Sequence, residues 1–149
     1  MDFIVQEAVK QQQNINYDSL VGQANIKVIG IGGAGSNMVS WLYKKGIKGA
    51  EIIACNTDKQ HLDISSADKK FLIGREITRG LGCGGFPNKG AEAAQESIQQ
   101  IKEVTKSTDM AFVCAGMGGG TGTGAAPVIA EVVKASGAIV IGTVTMPFN

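Results

Sequence analysis

Apolar and polar residues follow two different rhythms along the chain. From Ile26 the run IKVIGI is almost wholly apolar and β-branched and ends next to glycines, and EIIACN (51–56), KKFLIG (69–74), DMAFVCAG (109–116) and AIVIGTVTM (138–146) repeat that character. Short continuous apolar runs of this kind predict strands buried on both faces, as in a parallel sheet. Between them the apolar spacing changes to three and four. Residues 37–45 (NMVSWLYKK) predict a helix, and Ala91, Ala94, Ile98 and Ile101 form one apolar stripe on a second helix that Pro87 opens. Pro127, Val128, Ile129, Val132 and Val133 predict a third, while 57–68 reads as a small helix or a turn. Strands alternating with helices predict a doubly wound α/β fold, Rossmann-like, with a mainly parallel sheet and helices on both faces. In such a fold ligands sit beyond the carboxyl ends of the strands.

Ahead of this pattern, Ile4, Val5, Ala8 and Val9 have helical spacing and run into the polar stretch QQQNINYDS. Residues 1–25 therefore predict a helix and linker, and 26–149 one globular domain. The 149 residues carry 14 Lys+Arg against 13 Asp+Glu, a formal charge of +1. That balance gives no electrostatic ground for a nucleic-acid partner or an anionic membrane surface. No run approaches the roughly 18 apolar residues of a membrane helix, and the start lacks a signal-peptide core, which predicts a cytoplasmic protein without membrane insertion. Three cysteines without CxxC spacing predict neither a disulfide framework nor a protein-held metal site. Cys55 and Cys114 lie in apolar strands and read as core residues. His61, the single histidine, reads as solvated surface, and Trp41 and Tyr43 as packing on the first helix.

Glycine carries the chemical signal. Of 21 glycines, 16 fall in three clusters, Gly30–Gly35, Gly74–Gly90 and Gly116–Gly124, which excludes a flexible linker or a collagen repeat. Gly30-Ile31-Gly32-Gly33-Ala34-Gly35 matches GxGxxG between a strand and a helix, the setting in which backbone amides meet phosphate. It admits a second reading, the NAD(P)-binding domain of an oxidoreductase. That reading wants an acid at the end of the next strand, where the chain has Asn56, with Asp58 two residues later. GMGGGTGTGAAP (116–127) is more specific: consecutive amides and two threonine hydroxyls at a helix start predict a polyphosphate cradle. No GxxxxGK[ST] and no NKxD occur, so neither a P-loop lysine nor that guanine-reading motif is available.

In order and spacing, GIGGAGSN (30–37), CNTD (55–58), TRGLGCGGFP (78–87), GMGGGTGTGAAP (116–127) and TMPFN (145–149) resemble the FtsZ family of cell-division GTPases in the tubulin superfamily. The resemblance runs from about Ile26 to Asn149. It implies a domain that binds GTP or GDP, with Mg2+ held through the phosphates, and whose subunits stack head to tail into the protofilaments of a cytoplasmic, mid-cell division ring reached through anchor proteins. By matching motif, Gly32, Gly33, Ala34, Gly35, Ser36 and Asn37 would hold the α- and β-phosphates. Gly116 and Gly118, Gly119, Gly120, Thr121, Gly122 and Thr123 would wrap the β- and γ-phosphates, Thr121 donating its hydroxyl. Asn56 and Asp58 would border the phosphates and magnesium, and Cys83, Gly84 and Gly85 would sense the γ-phosphate.

Two residues depart from the family pattern: Cys83 stands where Ala is usual, and Phe86 where Asn is usual before the proline. Asn is a natural helix cap, so Phe86 predicts a looser loop 80–86. The family pattern also continues beyond TMPFN with base-reading residues, a central helix and an acidic loop that completes the neighbouring subunit's hydrolytic site. The resemblance thus implies an incomplete GTPase domain with no catalytic residue of its own. It implies little turnover alone, and an uncovered apolar sheet surface open to dimerisation or strand exchange.

Overall fold

A computed structural model describes residues 23–147 together with residues 3 and 6. The expected N-terminal helix and the last two residues of TMPFN lie outside the described residues. The five apolar runs form strands β1 (Ile26–Ile31), β2 (Ala50–Asn56), β3 (Lys69–Leu72), β4 (Met110–Gly116) and β5 (Ile139–Thr145). They make one sheet in the order β3-β2-β1-β4-β5, with every adjacent pair parallel. The chain builds outward from β1 to β3 on one side and then crosses to β4 on the other. The topological switch therefore lies between β1 and β4, where Ile31 aligns with Ala115.

The helices are α1 (Gly32–Lys45), α2 (Lys59–Ile64), α3 (Arg75–Thr78), α4 (Pro87–Glu96), α5 (Ile98–Val104) and α6 (Thr121–Ala135). Alternation along the strands sends side chains to two cores. Ile29, Ile31, Ile53, Cys55, Val113 and Ala115 face a core shared with α4, α5 and α6, through Ala93, Ile101, Ile129 and Val133. Val28, Ile52, Ala54 and Cys114 face the smaller one, with Val39 from α1 and Leu62 from α2. Burial pushes the thiols of Cys55 and Cys114 above the ordinary range, so both behave as small apolar residues.

Four features differ from the sequence pattern. Helix α1 begins at Gly32, directly after β1, so Gly32, Gly33 and Gly35 of the first glycine cluster form its opening turn rather than a loop ahead of Asn37. The single expected helix after Pro87 breaks at Ser97, whose hydroxyl accepts a 3.0 Å bond from the Gly74 amide and ties the helix to the end of β3. A one-turn helix, α3, sits inside the second glycine cluster, begun and ended by left-handed residues, Gly74 and Arg79. Trp41 and Tyr43 are exposed rather than packed, with the Lys45 ammonium 5.0 Å from the Trp41 ring centroid.

On β5, Ile139, Ile141 and Val144 are exposed, as is Met146 beyond it, and among the described residues no strand pairs with its outer edge. Several glycines bring backbone against backbone near the switch point. A methyl on Gly35 would strike the Cys114 carbonyl oxygen of β4, and one on Gly124 would strike the Pro87 carbonyl oxygen and the Ala91 amide of α4. No described residue lies within 4 Å of such a methyl on Gly119. Gly124→Ala should therefore destabilise the fold by about 2 kcal/mol or more, in the range of core overpacking. Gly119→Ala should stay within about 0.5 kcal/mol, as at an open surface position. Urea unfolding of the two variants measures the difference.

Candidate functional site

Both helices that start at the switch point start bare. Helix α1 has Ile31 in its cap position and α6 has Gly120; neither receives a side-chain cap bond, and neither has an acid in its first turn. Helices normally satisfy their first amides with Ser, Thr, Asp or Asn. Here the two N-termini abut, and a Cβ on Gly32 would lie 3.0 Å from the Gly122 nitrogen. The first amide of the α6 region with a helical acceptor is that of Gly124, bonded to the Gly120 carbonyl at 3.0 Å. The preceding amides, and the matching ones of α1, leave a concentrated positive end with no acceptor among the described residues, the arrangement that anions complete.

A cleft of about 520 Å³ opens at this point. Of the residues singled out from the sequence, Gly33, Ala34, Asn56, Asp58, Cys83, Gly84, Gly116, Gly119, Gly120, Thr121 and Gly122 line it. Gly32, Gly35 and Ser36 are buried in the first turn of α1 behind the lining, and Gly85 is exposed on the second loop. The Thr123 hydroxyl oxygen accepts a 2.9 Å bond from the Gly118 amide, so this pair closes the third loop upon itself. Asn37 lies one turn into α1 and points its amide oxygen at His61 Nε2, 3.0 Å away. Among the described residues no Lys or Arg lines the cleft, and the positive potential they give it comes from backbone amides.

Asn56 ends β2 at the cleft. Its side-chain oxygen accepts from the amides of Thr57 (2.8 Å) and Asp58 (3.2 Å), while its Nδ2, buried, has no partner among the described residues. A buried unpaired donor costs about 1–3 kcal/mol, and an anionic oxygen in the cleft would satisfy it. Asp58 caps α2 by accepting the His61 amide at 3.1 Å. Its carboxylate is thus fixed at the rim as a cap. The sheet end where an NAD(P) site needs a ribose-binding acid carries the amide of Asn56 instead.

Two site residues escaped the sequence pattern. His61, read as solvated surface, lines the cleft, and its ring would contact a methyl on Gly33 at 3.5 Å. The signal was the spacing of Asp58 to His61, which is that of an N-cap to the third helical position and sets residue 61 one turn below the cleft rim. Thr57, wholly buried, places its hydroxyl 2.7 Å from that of Thr121.

Loop 80–86 is attached along its length. The Lys59 amide donates to the Gly80 carbonyl (3.0 Å), the Gly82 amide to the Thr57 carbonyl (3.2 Å), and the Phe86 amide to the Cys83 carbonyl (3.2 Å). At its end, Phe86 occupies the cap position of α4 without a side-chain bond and with its ring exposed.

The sequence matches the profile described as Tubulin/FtsZ family, GTPase domain, over residues 25–149. It is 53% identical over 147 residues to cell division protein FtsZ 2 of Methanocaldococcus jannaschii, covering 98% of this chain and 39% of that protein. It is 51% identical over 132 residues to FtsZ of Aquifex aeolicus, covering 89% of this chain and 36% of that protein. The chain thus spans about two fifths of the length of the curated relatives it matches. In structure it resembles an empty FtsZ dimer from M. jannaschii, with a TM-score of 0.87, 48% identity, and 93% of this chain and 40% of that chain covered. It also resembles the GTPγS-bound protofilament of CetZ2 from Haloferax volcanii, with a TM-score of 0.70, 27% identity, and 79% and 39% of the two chains covered.

Giving α4 a side-chain cap should stabilise it. Phe86→Asn should raise unfolding stability by about 1 kcal/mol, read by urea denaturation, and slow hydrogen exchange at the amides of α4's first turn.

Proposed function

The chain belongs to the Tubulin/FtsZ family, and on that premise we propose that it is the guanine-nucleotide-binding part of a self-assembling cell-division GTPase. The observation that carries this is the pair of bare helix starts, Ile31 into α1 and Gly120 into α6, meeting beside the unpaired Asn56 amide. Several adjacent orphan donors suit a ligand with several linked anionic groups better than a single carboxylate. A nucleoside di- or triphosphate provides them.

In this reading the start of α1, Gly32 to Asn37, takes the inner phosphates. Gly118 to Thr123 wraps the outer ones, its shape held by the Thr123 to Gly118 bond, and the Thr121 hydroxyl donates to a terminal oxygen. Cys83 to Gly85 lie against this end of the cradle, since a Cβ on Gly120 would be 2.8 Å from Cys83 Cβ and 2.9 Å from the Phe86 nitrogen. A change at the terminal phosphate is therefore passed to loop 80–86 by direct contact. Magnesium is held through the phosphates, with Asn56 and Asp58 at the border. No group of three His, Cys, Asp or Glu among the described residues could hold a metal unaided.

Hydrolysis needs a positioned water and a charge environment for the leaving phosphate. Among the described residues Asp58 is the one carboxylate lining the cleft, and it is engaged as the α2 cap. The acidic groups that orient water come, in this proposal, from a neighbouring subunit stacked head to tail, so assembly and turnover are coupled. No helix among the described residues is long and apolar enough to cross a membrane. A cytoplasmic filament at mid-cell, tethered by separate anchor proteins, is consistent with that.

The NAD(P)-linked oxidoreductase reading of GxGxxG is overturned by the family match and by the Asn56 strand end. A fluorescent GTP analogue should bind the 149-residue chain and be displaced by GTP, GDP and inorganic tripolyphosphate but not by NADH, with turnover near background. Thr121→Val should weaken GTP roughly 10- to 100-fold, the worth of one hydrogen bond to a charged group. Saturable NADH binding that tripolyphosphate cannot displace would contradict the polyphosphate site, and robust turnover by the chain alone would contradict the shared hydrolytic site.

A further inference from the structure

Behind the cradle, three side chains from three segments form a closed circuit of polar hydrogens. Thr57 stands at the end of β2, Thr121 at the first position of α6, and Cys83 in loop 80–86. The Thr121 hydroxyl reaches Cys83 Sγ at 3.4 Å, Cys83 Sγ reaches the Thr57 hydroxyl at 3.5 Å, and the two hydroxyls are 2.7 Å apart. Thr57 is fully buried and Cys83 is 3% exposed, so water does not stand in for any of these contacts. Each hydroxyl and the thiol has one proton to give. If Thr121 donates to sulfur and sulfur donates to Thr57, the Thr57 proton has one acceptor left in the circuit, the Thr121 oxygen.

Thr121 and Cys83 both line the cleft, but Cys83 is almost wholly buried, and Thr121, flanked there by Gly120 and Gly122, is the member that offers a hydroxyl to it. Its single proton cannot serve both the sulfur and an anion. When an anion takes that proton, the bond from Thr121 to Cys83 is given up, and the other two keep their direction: thiol to Thr57, Thr57 to Thr121, Thr121 to the anion. Hydrogen bonds in such a chain polarise one another, and the donor at the end gains most.

We infer that Thr57 and Cys83 are positioning residues that aim the Thr121 hydroxyl at a terminal phosphate and tie loop 80–86 to its occupancy. The inference rests on the polyphosphate reading of the cleft, adds Thr57 to it, and gives the Cys83 side chain a role there. Thr57 contributes by holding the Thr121 rotamer through the 2.7 Å bond. Cys83 contributes the loop's end of the same chain.

The test is a thermodynamic cycle on GTPγS affinity, with tripolyphosphate displacement of the wild-type complex as the control for the reading itself. Thr57→Val keeps the buried shape and removes the hydroxyl, and should weaken GTPγS roughly three- to tenfold, the worth of one ordinary hydrogen bond. Thr57→Ser should restore it. In a Thr121→Val background, Thr57→Val should cost nothing further, because its only route to the ligand is gone. A residue that merely supports the fold would show the same loss in both backgrounds. Should Thr57→Val fail to fold, Cys83→Ala against Cys83→Ser in the same two backgrounds carries the cycle, with a roughly two- to threefold loss for Ala and none for Ser. Additive losses, or an undiminished affinity for the single variants, overturn the inference while leaving the polyphosphate site standing. A wild-type chain whose bound GTPγS is not displaced by tripolyphosphate overturns both.

Discussion

The structure turns on bringing the starts of two helices into contact across the two central strands without giving either one a cap. Backbone packs on backbone at this point: Gly35 against the Cys114 carbonyl, Gly32 against the Gly122 amide, Gly124 against Pro87. Only glycine permits such approach, because any Cβ would occupy the space of a neighbouring main-chain atom. The approach stacks two helix-terminal fields in one place and leaves their amides unpaired. Everything else in the cleft follows from that arrangement, including a lining whose described residues contain no lysine or arginine. A cradle made of main-chain donors has its direction fixed by the fold rather than by long flexible side chains.

The surrounding elements act as braces for that geometry. The Thr123 to Gly118 bond shapes the third loop, the Asn56 side chain folds back onto the next two amides, and Asp58 starts α2 so that His61 meets Asn37. Each uses a short polar side chain within a few residues of the backbone it holds, which loses little rotamer freedom on ordering. The second glycine cluster is fixed differently, by an isolated antiparallel bridge between Asp58 and Leu81 and by its contact with Gly120. It joins the site from outside the strand-to-helix pattern.

Much of the fold was legible in the sequence because the strands are buried on both faces. Runs such as EIIACN and DMAFVCAG have to be apolar throughout, and their alternation with helical spacing leaves few topologies. The break at Ser97 was not legible, since the apolar stripe from Ala91 to Ile101 continues across it and its cause is a bond to Gly74, far away in sequence. The start of α1 at Gly32 was hidden for a similar reason: glycine has poor helix propensity, and tertiary packing overrides it here. Within the site, the motifs pointed to residues that could offer amides. They did not point to Thr57, whose part depends on a hydroxyl 64 positions along the chain, nor to His61, which takes its place through the helix that Asp58 starts.

The glycines of GGGTGTG do different work: Gly118 turns the chain in a left-handed conformation against Pro147, Gly119 faces the cleft, and the last three seat α6. Gly119 meets no described residue within 4 Å, whereas Gly120 and Gly122 lie against other segments as well as the cleft, and Gly124 against α4. A descendant that had lost its nucleotide would still need the last three to keep its sheet and helices together. The signature is therefore a record of architecture as much as of ligand. A pseudoenzyme of this lineage would keep the motif nearly whole and would show its loss of function at Gly119, at Thr121 and at the amide of Asn56.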